Sequence, residues 1–218
     1  MTTPGLQSSL DRHELGRYVL AQLNSFFPDG RSAAALLPVV PDALERLLPS
    51  LLAVRLWMPG RFDHLHSSQY CMFLYWLARC LWLREGERAV CNKLFSLNKA
   101  LNGIDLFYEI VMPDVFFIGH SVGIVLAKAS YGSHLVLYQN CTVGKNHGRA
   151  PDIGPGVILY PHAAVIGGAS IGERCVIAQG ASVIDRTVPA HSIVFRSAGA
   201  DPQVRPSRRP YLEDYFRL

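Results

Sequence analysis

Ile153-Gly-Pro-Gly-Val-Ile158, Leu159-Tyr-Pro-His-Ala-Ala164, Val165-Ile-Gly-Gly-Ala-Ser170, Ile171-Gly-Glu-Arg-Cys-Val176, Ile177-Ala-Gln-Gly-Ala-Ser182 and Val183-Ile-Asp-Arg-Thr-Val188 are six consecutive frames of six residues. Each begins with an aliphatic residue, and the fifth places, Val157, Ala163, Ala169, Cys175, Ala181 and Thr187, are almost all small. The same frame runs upstream through Val125, Tyr131, Leu137 and Val143, with Ala129, Leu135 and Cys141 at the fifth places. Ten residues instead of six then separate Val143 from Ile153, and the four extra residues mark a loop. Neither the 3.6-residue period of a helix nor the two-residue period of a lone strand produces aliphatic residues six apart over so many frames. A short strand followed by a turn does, because it places one aliphatic side chain inward per flat face and needs a small residue at each corner. One such unit buries little by itself, so units must stack, and the stretch predicts a parallel β-helix.

Ahead of the hexads the period changes to that of helices. Asp11-Arg-His-Glu14 has the spacing of a capping box, and Leu15, Val19, Leu23 and Phe26 follow on one face until Phe27-Pro-Asp-Gly30, predicting a helix over 11–27. A second helix is expected from Pro41-Asp42 toward Pro59-Gly60, kinked or split at Pro49. A third is expected over about 67–84 and a fourth over about 87–101, ending at Asn102-Gly103. Residues 104–123, rich in aromatic and branched side chains, read as a first, irregular coil of the β-helix. The fold class is therefore α+β: a helical N-terminal domain (1–103), a β-helix domain with hexapeptide repeats (104–196) and a short C-terminal tail (197–218). In the tail, Tyr211, Leu212, Tyr215 and Phe216 form an amphipathic segment suited to docking back or to contacting a partner.

Half of the 218 residues are apolar, enough for a substantial core. No run of eighteen apolar residues exists, and Met1 to Ser9 lacks the plan of a signal peptide, so a cytoplasmic protein is expected. The five cysteines, Cys71, Cys80, Cys91, Cys141 and Cys175, are odd in number, scattered and set among apolar neighbours, as buried free thiols are. A net charge of +4, an Arg cluster without interleaved aromatics and the lack of a Lys-rich amphipathic helix argue against nucleic acid and membrane as partners. The cluster itself, Arg205, Arg208 and Arg209, is either a solvated tail or a clamp for a phosphate-bearing ligand.

If three hexads make one triangular turn, Asp105 and His120, fifteen residues apart across the first coil, come to lie close on adjacent coils. A carboxylate holding one imidazole nitrogen fixes the tautomer, and the other nitrogen is left to take a proton from a hydroxyl. The alternative is a structural histidine at a coil edge.

Gly119-His-Ser-Val-Gly-Ile-Val125, Gln139-Asn-Cys-Thr-Val-Gly144 and the hexads that follow resemble the hexapeptide-repeat acyltransferases, and within them the serine acetyltransferase family, over about residues 65–195. The resemblance implies a left-handed β-helix, acetyl-CoA as co-substrate and no metal. It also implies a homotrimer or a dimer of trimers, with clefts between neighbouring subunits. His120 falls on the family's catalytic histidine in the pattern His-x-x-Gly-Ile-Val, and Asp105 on its dyad aspartate. By the same resemblance Gly144, Ala178 and Gly180 are close-approach positions for the pantetheine arm, and from the basic cluster Arg208 is the candidate for the co-substrate's phosphates.

Two landmarks for free serine depart from the family. Where the family carries an aspartate just before the histidine this chain has Gly119, and where it carries Arg-His-Pro this chain reads Arg149-Ala-Pro151. Arg149 remains, His147 lies nearby in the insertion, and the polar stretch Phe62 to Tyr70, with Asp63 and His64, is expected to face the acceptor. Restoring the aspartate as Gly119→Asp is then expected to favour serine. The functions in view are an O-acetyltransferase acting on serine or a related small hydroxyl compound, a sugar or nucleotide-sugar O-acetyltransferase, and a non-catalytic trimeric scaffold. A zinc hydratase of the γ-type carbonic anhydrase kind would need two histidines five apart plus a third, which His120, His134, His147 and His162 do not provide.

Overall fold

The computed structural model describes residues 5–197 and 201–218. A short strand β1 (Gln7–Ser8) leads into α1 (Arg12–Phe26), a 3-10 helix (Ala34–Val39) and α2 (Val40–Ala53). After β2 (Arg61–Phe62), which pairs with β1, come α3 (Ser67–Glu85) and α4 (Arg88–Asn102). The capping box of α1 is formed: the Asp11 carboxylate accepts from the Glu14 N–H at 2.8 Å, and the Glu14 carboxylate accepts from the Asp11 N–H at 2.9 Å. α4 ends on Gly103 in the left-handed conformation, a residue type that pays no Cβ penalty there. α2 differs from expectation at both ends, being preceded by the 3-10 helix and stopping at Ala53, and it runs through Pro49 unbroken. Proline removes one hydrogen bond, to the carbonyl of Glu45, and Glu45 is on the exposed face of the helix. Among the described residues no helix is long and apolar enough to cross a membrane.

The second half is a parallel β-helix of three sheets. Its strands, in chain order, are β3 (Asp105–Leu106), β4 (Phe116–Ile118), β5 (Val125–Leu126), β6 (Ser130–Tyr131), β7 (Leu135–Leu137), β8 (Thr142–Gly144), β9 (Asp152–Ile153) and β10 (Ile158–Leu159). They continue as β11 (Ala164–Ile166), β12 (Ser170–Ile171), β13 (Val176–Ile177), β14 (Ser182–Ile184), β15 (Thr187–Val188) and β16 (Ser192–Phe195). The six-stranded sheet is ordered β17-β16-β13-β10-β7-β4, the five-stranded sheet β14-β11-β8-β5-β3 and the four-stranded sheet β15-β12-β9-β6, where β17 (Gln203–Pro206) is antiparallel and belongs to the tail. The α+β class and the stacking of hexads are as the frames imply. Ile153, Leu159, Val165, Ile171, Ile177 and Val183 are buried in one column system, with Ala163, Ala169, Cys175 and Ala181 at its corners.

Two details depart from the frame. At the upstream end Leu126, not Val125, points inward: Leu126 pairs with Val143, whereas Val125 is 44% exposed on the outer face of the five-stranded sheet. At the far end Thr187 is exposed and Val188 stacks inward on Ile171. The four-stranded sheet begins only with β6, so the third side of the first coil, residues 107–115, is irregular. Its backbone groups are taken by the helices: Tyr75 donates to the Ile110 carbonyl at 2.6 Å and accepts from the Met112 N–H, Arg79 donates to the Tyr108 carbonyl, and Ser50 bridges Asp114 and Phe116. Buried backbone polar groups demand partners, so these side chains weld the helical part onto the coil stack.

The tail docks back. From β17 it runs down the six-stranded sheet through a 3-10 turn (Tyr211–Asp214) to the end of α2, where Phe216 is fully buried and pairs with Val54 as an antiparallel bridge.

Candidate active site

The corner between the six- and five-stranded sheets is built four times over, and its first copy is Gly119 to Ile124. It rests on the end of α4: the Gly123 N–H donates to the Gly103 carbonyl, the Asp105 N–H to the Ile124 carbonyl, and the Ser121 hydroxyl to the Asn102 carbonyl. Gly123 takes φ +76, and a Cβ there would collide with the Asn140 side chain of the coil above, so the corner requires glycine. His120 sits at the mouth of this corner, exposed, directly after β4. Asp105 lies below the same corner at the start of β3, in register with Val125. Its carboxylate accepts from the Lys99 ammonium at 2.6 Å, and among the described residues no hydrogen bond joins it to His120.

His120 opens into a pocket of about 330 Å³ lined by Trp57, His66, Ser67, Phe117 and Tyr138. The Trp57 ring is edge-on to His66 (5.7 Å between centroids) and to Phe117 (5.5 Å), and the Tyr138 ring is 6.1 Å from that of His120. α3 starts here without a side-chain cap, so the positive end of its dipole faces the same space, and its Ser68 hydroxyl donates to the Gly119 carbonyl at 3.2 Å. The side-chain oxygen of Gln139, one coil up, is buried without a hydrogen-bond partner among the described residues.

The other expected site residues are distributed as follows. Gly119 is in the corner, but an added Cβ would sit 2.7 Å from Tyr138 Cε1, so the expected benefit of Gly119→Asp does not survive: the ring must be displaced first. Of the polar stretch, His66 and Ser67 reach the pocket. Asp63 and His64 are not among its lining residues, and His64 is held elsewhere by the Ser9 hydroxyl (2.8 Å) and the edge of Tyr18. Ala178 and Gly180 lie on the same corner as His120, three strand spacings up (β4, β7, β10, β13), roughly 14 Å. Gly180 has φ +67 and nothing nearer to its Cβ position than Arg196 at 4.0 Å, so the surface there is open. Gly144 closes β8, the central strand of the five-stranded sheet, at the strand end away from that corner and beside the 145–151 loop. In the loop, Arg149 donates to the Asp185 carboxylate at 2.8 Å and His147 is exposed at a turn. The Gly168 N–H and then the Asn146 amide hold the Asp185 carboxyl below the usual range. Arg208 lines a separate pocket of about 280 Å³ with Arg174 and His191 toward the far end of the six-stranded sheet.

Trp57 and Tyr138 were not singled out by sequence, whereas His66 and Ser68 belong to the polar stretch expected to face the acceptor. Tyr138 carried a signal: the residues that follow the inward aliphatic residue of each six-stranded-sheet strand are Gly119, Tyr138, Tyr160, Ala178 and Phe195, a column in which two adjacent tyrosines stack at 5.7 Å. The cysteines offer no nucleophile. Burial pushes the thiols up, to about 12 at Cys71 and Cys91 and to about 11 at Cys80 and Cys141. Among the described residues no three His, Cys, Asp or Glu side chains converge as a metal site.

No family model matches the chain. It is 30% identical over 128 residues to the serine acetyltransferase of Mycobacterium tuberculosis, a match covering 56% of this chain and 55% of that protein; the chain thus spans just over half of the relative's length. In structure it resembles the Neisseria gonorrhoeae serine acetyltransferase in complex with serine (TM-score 0.66, 18% identity, 89% of this chain and 84% of the other). A serine acetyltransferase in complex with CoA superposes with a TM-score of 0.61 at 15% identity, over 87% of this chain and 75% of the other. The chain thus has the fold of these serine acetyltransferases, helices followed by a stack of coils, and a partial sequence likeness to members of that group.

Proposed function

We propose that the chain is an acetyl-CoA-dependent O-acetyltransferase acting on serine or a related small hydroxyl compound, with His120 as general base. The observation that carries this is the setting of His120: an imidazole at a corner over Asp105, opening into a pocket at the uncapped start of α3. His120 takes the acceptor's hydroxyl proton as the oxygen bonds to the thioester carbonyl carbon. The carbon–sulfur bond then breaks, and the imidazolium returns the proton to the departing thiolate. Negative charge on the carbonyl oxygen builds near the positive end of α3, where it is stabilised. Asp105 supports the imidazolium once its carboxylate turns from Lys99 to the ring, a movement within one corner. The names of the relatives favour serine as acceptor, and the complex with CoA supports that co-substrate.

For the donor, Ala178 and Gly180 offer the open strip of the corner above His120, and Arg208 with Arg174 offers cations for phosphates at its upper end. Gly144 and the loop with His147 and Arg149 join the site if they come from a neighbouring copy in a homotrimer. A sugar-type acceptor is the second reading, favoured by a pocket whose lining within the chain contains aromatic rings, hydroxyls and imidazoles but no carboxylate to receive an ammonium group.

The test is CoA release from acetyl-CoA with L-serine, L-homoserine, glucosamine and a nucleotide sugar. His120→Ala is expected to lower kcat at least ~100-fold with every acceptor, the usual cost of removing a general base, without a change in the thermal midpoint. A variant keeping more than about a tenth of the activity removes His120 from that role.

A further inference from the structure

We propose that the end of the chain, Tyr215 to Arg217, sets the acceptor wall of the His120 pocket, with Arg217 as a positioning residue; this rests on the reading of that pocket as the acceptor site. The segment after α2 carries Trp57 into the pocket and has little regular structure of its own. The carbonyl of Leu52 in the last turn of α2 and those of Val54, Arg55 and Trp57 in this segment all accept from one guanidinium, that of Arg217. The Arg217 N–H adds a bond to the Ala53 carbonyl at 2.8 Å, and the Arg55 N–H donates to the Tyr215 carbonyl at 2.7 Å. A helix end leaves its last carbonyls without partners and carries partial negative charge, so a planar cation with five donors both satisfies and fixes it. Four carbonyls spread over six residues and bound to one rigid fork leave the backbone up to Trp57 a single arrangement.

The opposite wall is held by the same strap. The Tyr215 ring packs 6.1 Å from Phe117 and 6.1 Å from Tyr138, both pocket residues, and its hydroxyl donates to the Tyr160 hydroxyl at 3.0 Å. Tyr160 in turn stacks on Tyr138. Neither Tyr215 nor Arg217 lines the pocket, so both act through Trp57 and Tyr138. Among the described residues no hydrogen bond or ring contact joins Tyr215 or Arg217 to Ala178 or Gly180 of the donor strip, so the effect is expected on the acceptor.

The experiment is steady-state kinetics of full-length Arg217→Ala, Arg217→Lys and Tyr215→Phe, with whichever of L-serine, L-homoserine or glucosamine gives CoA release, together with hydrogen exchange of the Arg55 and Trp57 amides. Arg217→Ala is expected to raise the acceptor KM about tenfold, the scale of a small misplacement of a binding wall, while the KM for acetyl-CoA stays within about twofold. The two amides should exchange faster, and Arg217→Lys should recover part of both effects. Tyr215→Phe, which keeps the ring, should raise the acceptor KM about threefold, and it carries the test if Arg217→Ala does not fold. An unchanged acceptor KM with unchanged exchange overturns the proposal, as does a fall in kcat alone with both KM values intact. If the wild type releases CoA with none of these acceptors, the proposed activity fails by itself, and exchange at Arg55 and Trp57 then decides the strap.

Discussion

Gly119 lacks a side chain because its neighbour one coil up needs the space. The Tyr138 ring lies 2.7 to 3.1 Å from where a Cβ would stand, closer than carbon atoms pack without movement. The substitution Gly119→Asp is therefore expected to reduce turnover at least about tenfold with any acceptor, because the displaced ring is itself a pocket wall. Pairing it with Tyr138→Ala should recover folding and part of the activity. Kinetics of the single and double variants, with melting curves, check this, and an active single variant with Tyr138 unmoved contradicts it. The pair also shows what a sequence conceals at this scale. That position 119 lacks an aspartate is visible at once. That the cause is a tyrosine nineteen residues later follows only when the two are known to stack. His66 illustrates the same limit: the polar stretch from Phe62 to Tyr70 stood out, but Ser9 and Tyr18 claim His64, and which histidine faces the pocket depends on where α3 begins.

Among the elements, the hexads were legible because each contributes one inward residue, and the loop after Val143 because it lengthens one frame by a whole strand spacing's worth of residues. The slip at Leu126 was not, because a corner with one residue fewer leaves an aliphatic residue at both candidate places, Val125 and Leu126. The strap was legible only as an apolar ending; its destination depends on Arg217 finding the carbonyls of a helix end more than a hundred and fifty residues earlier. One link of that strap responds to acid. His134 is edge-on to the buried Phe216 ring at 5.0 Å, and burial, then the positive charge of Arg174, holds its imidazole below the ordinary 6.5. The unfolded chain therefore binds a proton that the folded chain resists. Stability from this site is present above about pH 6.5 and declines as pH falls below it. The thermal midpoint is expected to drop further between pH 7.5 and 5.5 in the wild type than in His134→Asn, asparagine being chosen because position 134 has φ +59. Parallel declines place the acid sensitivity elsewhere.

At the scale of the whole molecule the three sheets are unequal. The tail lies along the six-stranded sheet, whereas the five-stranded sheet presents Val125 and Ile184 to solvent, at 44% and 50% exposure, with Ala164, Thr142 and Ser182 between or beside them and Val122 of the adjoining corner 64% exposed. A flat face of branched and small residues is suited to burial against copies of itself, and closed symmetry is the usual way for identical chains to do so. With this face turned toward a three-fold axis, the His120 corner at one edge of the sheet approaches the 145–151 loop at the other edge of the next copy, bringing His147 and Arg149 to a pocket they do not reach within one chain. Ile184→Lys, on β14 and four strands from Asp105 in the sheet order, tests the arrangement without touching the pocket. The wild type is expected to elute with the mass of three 24.1 kDa chains, about 72 kDa, and the variant as single chains with little CoA release. Single chains that retain full activity place the complete site within one copy, and an unchanged mass assigns the contact to another face.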